Sequence, residues 1–182
     1  STDISSNQAQ GDIYFADASL HYGEAAALNL QDCTALPGAH NGQNAAAALA
    51  IGHSLGLSQA EMASSFQSFA GMAHRLQSVA RHGALNFVND SKATNAEATR
   101  HALAAFDNIY WIAGGVAKAG GLSGLETQFS HVRAAYLIGE AADMFAQTLS
   151  EKMPVEISQT MDKALTQAAN QAQADALSHA TI

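Results

Sequence analysis

Two apolar runs with no polar break, Ile109-Tyr110-Trp111-Ile112-Ala113 and Ala134-Ala135-Tyr136-Leu137-Ile138, constrain the fold more than any other feature of this chain. Each is too short for a core helix and lacks the alternation of a strand with one wet face. Each therefore reads as a strand buried on both sides. Helix-like segments flank them at about 95–106 and 140–149, with a partly helical stretch over 122–132. A weak strand over 154–157 and a helix from Met161 to about Ala174 follow. Unbroken apolar strands alternating with helices predict an α/β fold, a mostly parallel sheet with helices on both faces. Upstream, Ser78 to Arg81 and Leu85 to Val88 read as strands joined by the turn His82-Gly83. At the other end, Ala180-Thr181-Ile182 resembles the first residues of one more strand.

The first part of the chain has a different grain. Residues 1–10 are polar and expected to be loose. Ile13-Tyr14-Phe15, Leu20-His21-Tyr22 and Ala26 to Leu30 read as a small antiparallel meander. A loop over Leu36 to Asn41 leads into an Ala-rich helix from Asn41 to about Leu55. Ser58 then caps a second helix over Gln59 to Phe69, with Glu61 as its capping-box partner. The pattern breaks at Phe69 to Arg75, where a hinge between two domains, 1–71 and 72–182, is expected.

Composition narrows the function. The chain carries 8 basic and 16 acidic residues, a formal charge of −8, which argues against a nucleic-acid binder because that surface needs a basic footprint. A nucleotide substrate needs only a few placed cations. A single cysteine, Cys33, rules out an internal disulfide, fits a reduced cytoplasmic chain, and reads as a small buried apolar residue. No run approaches the roughly 20 apolar residues of a membrane span, and the N-terminus has no signal-peptide pattern. Without an initiating Met, Ser1 reads as a cut end.

Four segments could carry chemistry. Asn89-Asp90-Ser91-Lys92-Ala93-Thr94-Asn95 follows a strand and opens a helix. Asp90 can accept from both hydroxyls of a ribose, Lys92 can neutralise a phosphate, and Thr94 or Asn95 can cap a helix whose free N–H groups favour an anion. The same turn can also serve only to shape the connection. Gly114-Gly115-Val116-Ala117-Lys118-Ala119-Gly120-Gly121 lies at the carboxyl end of a buried strand, where open α/β sheets bind ligands. Its glycines let backbone amides approach a ligand beside Lys118, although a flexible connection would use them too. Asn41 and Asn44, three apart, share a helix face that suits the edge of a base, with helix capping as the alternative role of Asn41. His74-Arg75 at the hinge can meet a phosphate, or can be a surface ion pair. The eight histidines show no zinc-ligand spacing, so no metal site is expected within these residues.

Together these segments resemble the Mur ligases. The resemblance rests on Gly38-Ala39-His40-Asn41-Gly42-Gln43-Asn44, Phe69-Ala70-Gly71-Met72-Ala73-His74-Arg75, the 89–95 turn, and Gly114-Gly115 with Lys118, in that order. Asp90-Ser91-Lys92-Ala93-Thr94-Asn95 looks specific to the member that adds D-glutamate. The resemblance implies a Rossmann-like C-terminal domain over 72–182 lacking its last strand and helix, preceded by the end of a central ATPase domain. It implies an ATP- and magnesium-dependent amide ligase in peptidoglycan precursor synthesis, with the phosphate loop and the magnesium ligands outside this sequence. The implied substrates are ATP, D-glutamate and UDP-N-acetylmuramoyl-L-alanine. A cytoplasmic monomer with no membrane insertion is expected. Lys92, Lys118 and His74 would stand at the catalytic centre. Asn41, Asn44, Arg75 and Asp90 would hold ATP, and Lys92, Thr94, Lys118 and Ser91 would hold D-glutamate. Gln77 stands where many relatives carry Glu. A folylpolyglutamate-type ligase of the same superfamily and a non-catalytic α/β ligand-binding module are the alternatives.

Overall fold

The computed structural model describes residues 4–6, 13–23 and 25–182. The chain divides into two units, Ser1–Met72 and Ala73–Ile182.

In the first unit, strands β1 (Ile4–Ser6), β2 (Ile13–Ala16), β3 (Ser19–Tyr22) and β4 (Ala25–Asn29) form one sheet in that order. The meander β2-β3-β4 is antiparallel, as its alternation implies. The expectation that residues 1–10 are loose is corrected at 4–6, where β1 pairs in parallel with β2, Ile4 opposite Ile13. A three-residue edge strand is held by backbone pairing and needs no apolar period, so its sequence carries no signal. Residues 1–3 and 7–10 lie outside the described residues. Helices α1 (Ala39–Ser54) and α2 (Gln59–Ser68) follow. Ile13 and Leu20 are fully buried, and they share a core with Ala45, Ala46 and Leu49 of α1, Met62 of α2 and Cys33. Burial pushes the Cys33 thiol up, with the Asp32 carboxylate adding to the shift, as befits an inert packed cysteine. The capping box of α2 forms as expected, Ser58 and Glu61 exchanging hydrogen bonds.

The second unit contains β5 (Gln77–His82), β6 (Leu85–Asn89), α3 (Ala96–Leu103), β7 (Ile109–Gly114), β8 (Val132–Ile138), α4 (Ala142–Leu149), β9 (Val155–Gln159), α5 (Met161–Ala174) and β10 (Ala180–Thr181). The sheet order is β5-β6-β10-β7-β8-β9. β5 is antiparallel to β6 and every other pairing is parallel, giving the mostly parallel α/β sheet. One core packs α3 and α4 against one sheet face through Leu103, Leu137, Phe145 and Leu149. A second core packs α5 on the opposite face. Its contact residues Ala164, Ala168 and Ala172 recur every four positions, so the helix lies close to the strands on a stripe of methyl groups. Tyr110 and Leu137 in the central strands are completely buried, in keeping with their unbroken apolar runs.

Candidate functional site

The site is built at the carboxyl ends of β6 and β7. β6 ends in Asn89, and the chain must turn sharply to start α3. One side-chain bond and one backbone bond close that turn. Asn89 Oδ1 accepts from the Ser91 N–H at 3.1 Å, and the Ala93 N–H donates to the Asp90 carbonyl at 2.8 Å. Asn95 then caps α3, its side-chain oxygen accepting from the Ala98 N–H at 2.9 Å. Thr94 stands just outside the helix.

The segment entering β5 is knitted onto this turn. The Leu76 N–H donates to Asp90 Oδ1 at 3.0 Å and the Lys92 N–H to the His74 carbonyl at 3.1 Å. Asn89 Nδ2 and His74 Nδ1 lie 3.0 Å apart. His74 and Leu76 both take positive φ, 64° and 42°, uncommon for non-glycine residues and tolerated here because these bonds over-determine the loop. The Gln77 side chain accepts from the His74 N–H at 3.0 Å. Asp90 feels three influences. Burial pushes its carboxyl above the ordinary carboxylate value, while the Leu76 N–H and the nearby Arg75 guanidinium pull it back down.

The glycine loop leaves β7 at a point fixed by backbone contact. A Cβ on Gly114 would lie 1.8 Å from the Ile138 carbonyl oxygen, and one on Gly139 would lie 2.9 Å from the Gly115 nitrogen. This close approach lets the Gly115 N–H donate to the Ile138 carbonyl at 3.0 Å and the Ala141 N–H to the Gly115 carbonyl at 2.9 Å. The loop bearing Lys118 is thereby registered on β8 and the start of α4. A turn closed by the Gly121 N–H and the Lys118 carbonyl, 3.0 Å, presents the lysine to solvent.

Turn and loop line one cleft of about 900 Å³. His74, Asp90, Ser91, Thr94 and Lys118 all border it. Lys92 and Arg75 are exposed and are not among its lining residues. Neither lysine ammonium forms an ion pair among the described residues, so both charges are available to an anion. Two facing loops with a free cation, hydroxyls and a helix start can hold a carboxylate or phosphate, and Asp90 can hold a diol.

Asn41 and Asn44 belong to the first unit. The cap of α1 is Gly38, which corrects the capping role open to Asn41. Its side-chain amide instead donates to the Pro37 carbonyl at 2.8 Å, bracing the loop before the helix, and its oxygen lies 3.5 Å from Asn44 Nδ2. Gly38 adopts φ 85°, which lets the helix begin before the Asn residues. Asn44 is exposed. Sequence reasoning overlooked Gly139 and the Asn89–His74 pair. A glycine directly after a buried strand, opposite another such glycine, is the signal that could have found the first.

The Mur ligase, glutamate ligase domain family matches residues 74–178. The chain belongs to the Mur ligase family. Over 149 residues it is 52% identical to a UDP-N-acetylmuramoylalanine--D-glutamate ligase of Agrobacterium fabrum, covering 82% of this chain and 32% of that protein. Over 169 residues it is 50% identical to the enzyme of the same name from Brucella abortus, covering 90% of this chain and 36% of the relative. The chain thus spans about a third of the length of these Mur ligases. The fold matches MurF of Acinetobacter baumannii with a TM-score of 0.63 at 19% identity, over 99% of this chain and 42% of that one. It matches the UDP-N-acetylmuramate-alanine ligase MurC of Thermotoga maritima with a TM-score of 0.65 at 17% identity, over 87% and 40%. Among the described residues, no helix is long and apolar enough to cross a membrane, and no group of three or more His, Cys, Asp or Glu could hold a metal ion.

Proposed function

We propose that the protein to which this chain belongs joins D-glutamate to UDP-N-acetylmuramoyl-L-alanine at the expense of ATP, and that residues 72–182 form its glutamate-binding domain. Residues 1–71 are then the end of its ATP-binding domain. The observation that carries the reading is the shared cleft between the 89–95 turn and the Lys118 loop, in a chain half identical to proteins named for that reaction.

In this reading a carboxylate oxygen of the muramoyl-alanine substrate attacks the γ-phosphorus of ATP, and ADP leaves. The glutamate amine, having lost its proton to solvent, then attacks the acyl carbon. The amide forms and phosphate leaves with the C–O bond pair. Lys118, Lys92, Ser91 and Thr94 neutralise and orient the glutamate carboxylates. Asp90 and Arg75 hold the ribose and phosphate region of ATP, and Asn41 and Asn44 the base. His74 braces the turn through Asn89 and its own carbonyl. None of these groups need exchange a proton with the substrates, because placing an amine against an activated acyl group supplies much of such a rate enhancement. Magnesium has no fitting cluster of three or more His, Cys, Asp or Glu donors among the described residues. The protein acts as a cytoplasmic monomer.

The test uses the full-length protein with ATP and UDP-N-acetylmuramoyl-L-alanine, following phosphate release with D- against L-glutamate. Release dependent on D-glutamate supports the reading. Preference for L-glutamate, or for a folate acceptor, points to the folylpolyglutamate-type ligase. No ATP-dependent release with any acceptor leaves a binding module.

A further inference from the structure

Nearly every polar group of His74 is already engaged. Its N–H donates to Gln77 Oε1 at 3.0 Å, its carbonyl accepts from the Lys92 N–H at 3.1 Å, and its Nδ1 lies 3.0 Å from Asn89 Nδ2. The grips on its N–H and on its ring come from a cross-strand pair. Gln77 and Asn89 stand opposite each other at the end of the β5–β6 ladder, so their side chains share a face of the sheet, and both close on His74. The group left over is Nε2. It has no hydrogen bond among the described residues, and the exposed residue borders the cleft.

The direction of the Asn89–His74 bond is set by the next link. An amide side chain can turn over and exchange its oxygen for its nitrogen, but Asn89 Oδ1 accepts from the Ser91 N–H at 3.1 Å. Turned over, Asn89 would set its NH2 group against that N–H, donor against donor. The backbone is not free to adjust, because the same turn is closed by the Ala93 N–H on the Asp90 carbonyl at 2.8 Å. The amide nitrogen therefore faces the imidazole as a donor, and Nδ1 accepts. An accepting Nδ1 carries no hydrogen, so in the neutral ring the proton sits on Nε2. A carboxylate against Nδ1 would do the opposite and leave Nε2 with a lone pair. The charged side chains on the neighbouring positions and in the facing turn are Arg75, Asp90 and Lys92. Asp90 Oδ1 already accepts from the Leu76 N–H at 3.0 Å, and His74 forms no ion pair among the described residues.

We propose that Asn89 is a positioning residue that holds His74 in the Nε2–H tautomer, so that the ring meets an anionic oxygen in the cleft as a hydrogen-bond donor. This rests on the functional reading above, in which phosphate and carboxylate oxygens are the anions the cleft receives. His74 then is not the base that takes the proton of the glutamate amine. Its Nε2 already carries a hydrogen, and the lone pair on Nδ1 is covered by Asn89. An aspartate at 89 could hold the Ser91 N–H equally well but would draw the ring proton to Nδ1.

The experiment uses the full-length protein with isotopically labelled histidine at about pH 8, above the ordinary imidazole range. Long-range proton–nitrogen NMR spectra separate a protonated ring nitrogen from an unprotonated one, and His74→Gln assigns the His74 signals. The parent is expected to show Nδ1 unprotonated and Nε2 protonated, and Asn89→Asp to reverse the two. A parent ring protonated on Nδ1, or an even mixture of tautomers, overturns the proposal. So does an Asn89→Asp ring that keeps the parent pattern. The donor role is read by titrating a non-hydrolysable ATP analogue, then D-glutamate in the presence of that analogue and UDP-N-acetylmuramoyl-L-alanine. His74→Asn, whose amide reaches only the Nδ1 position, should weaken one of these ligands by about tenfold, as for a lost hydrogen bond to a charged group. His74→Gln, whose amide nitrogen can reach the Nε2 position, should restore most of that loss. A loss confined to the analogue makes the anion a phosphate, and one confined to D-glutamate makes it a carboxylate. Unchanged binding of both ligands in His74→Asn, or equal loss in the two variants, overturns the donor role. If neither ligand binds the parent, the functional reading falls and the donor role with it, whereas the spectra decide the hold of Asn89 on the ring independently.

Discussion

Gly114→Ala tests whether the Lys118 loop is set by backbone contact with β8. The added methyl would start 1.8 Å from the Ile138 carbonyl oxygen, whereas side-chain carbons essentially never approach closer than 3.0 Å. The two strands must separate by the difference, 3.0 − 1.8 = 1.2 Å, at least. That movement stretches the 3.0 Å bond between the Gly115 N–H and Ile138 past any useful length. Losing it costs about 1 kcal/mol, and holding alanine at φ 146° a further 1–3 kcal/mol or so, about 2–4 kcal/mol in all. For a unit of this size, each kcal/mol lowers Tm by about 4 °C, so the variant should melt about 8–16 °C lower. Trp111, the single tryptophan, lies in β7 itself, and its fluorescence reports unfolding of this unit. Val116→Ala, on an exposed side chain of the same loop, is the control and should melt like the parent. A Gly114→Ala melt within about 2 °C of the parent would refute the packing argument.

Other outcomes follow from Asp90 and Asp175, whose carboxyls are shifted in opposite directions. Asp90 has its folded pKa raised by burial, so the stability it contributes is present below the ordinary carboxylate pKa and is lost as pH rises through the folded value. Asp90→Asn keeps an acceptor for the Leu76 N–H, so its Tm at pH 7 should equal or exceed the parent's, and any gain should vanish below about pH 4. A lower Tm at pH 7 would count against this account, and so would a gain that persists in acid. Asp175 is the opposite case. The Tyr110 hydroxyl and Gln171 donate to it and hold its carboxyl below the usual range, so their stabilisation is present above the ordinary pKa and is lost as pH falls through the folded one. Tyr110→Phe should lower Tm by several degrees at pH 7 and by progressively less below about pH 4, and a pH-independent loss would sever the link to Asp175.

The sheet was legible because its central strands are buried on both faces and carry no polar interruption, which leaves little besides an α/β layer. The helix from Met161 to about Ala174 and the Ser58–Glu61 box were equally plain, since the signals for both are local. Elements held by long-range backbone pairing were not. β1 has three residues and no apolar period, and the start of α1 depends on Gly38 taking a positive φ rather than on the more conspicuous Asn41. In the site, the residue types of the turn and the glycine loop showed what chemistry was possible. Their convergence on one cleft depends on strand order, with β10 entering between β6 and β7 from the far end of the sequence. No local pattern encodes that, nor the close approach of Gly114 to Ile138 and of Gly139 to Gly115.

The most direct measurement is a crystal structure of the full-length protein with D-glutamate and a nucleotide bound. The account predicts a glutamate carboxylate within about 3.2 Å of Lys118 Nζ and of a donor in the 91–94 turn, bridging the two loops across the cleft. D-glutamate held elsewhere, with Lys118 left in solvent, would contradict it.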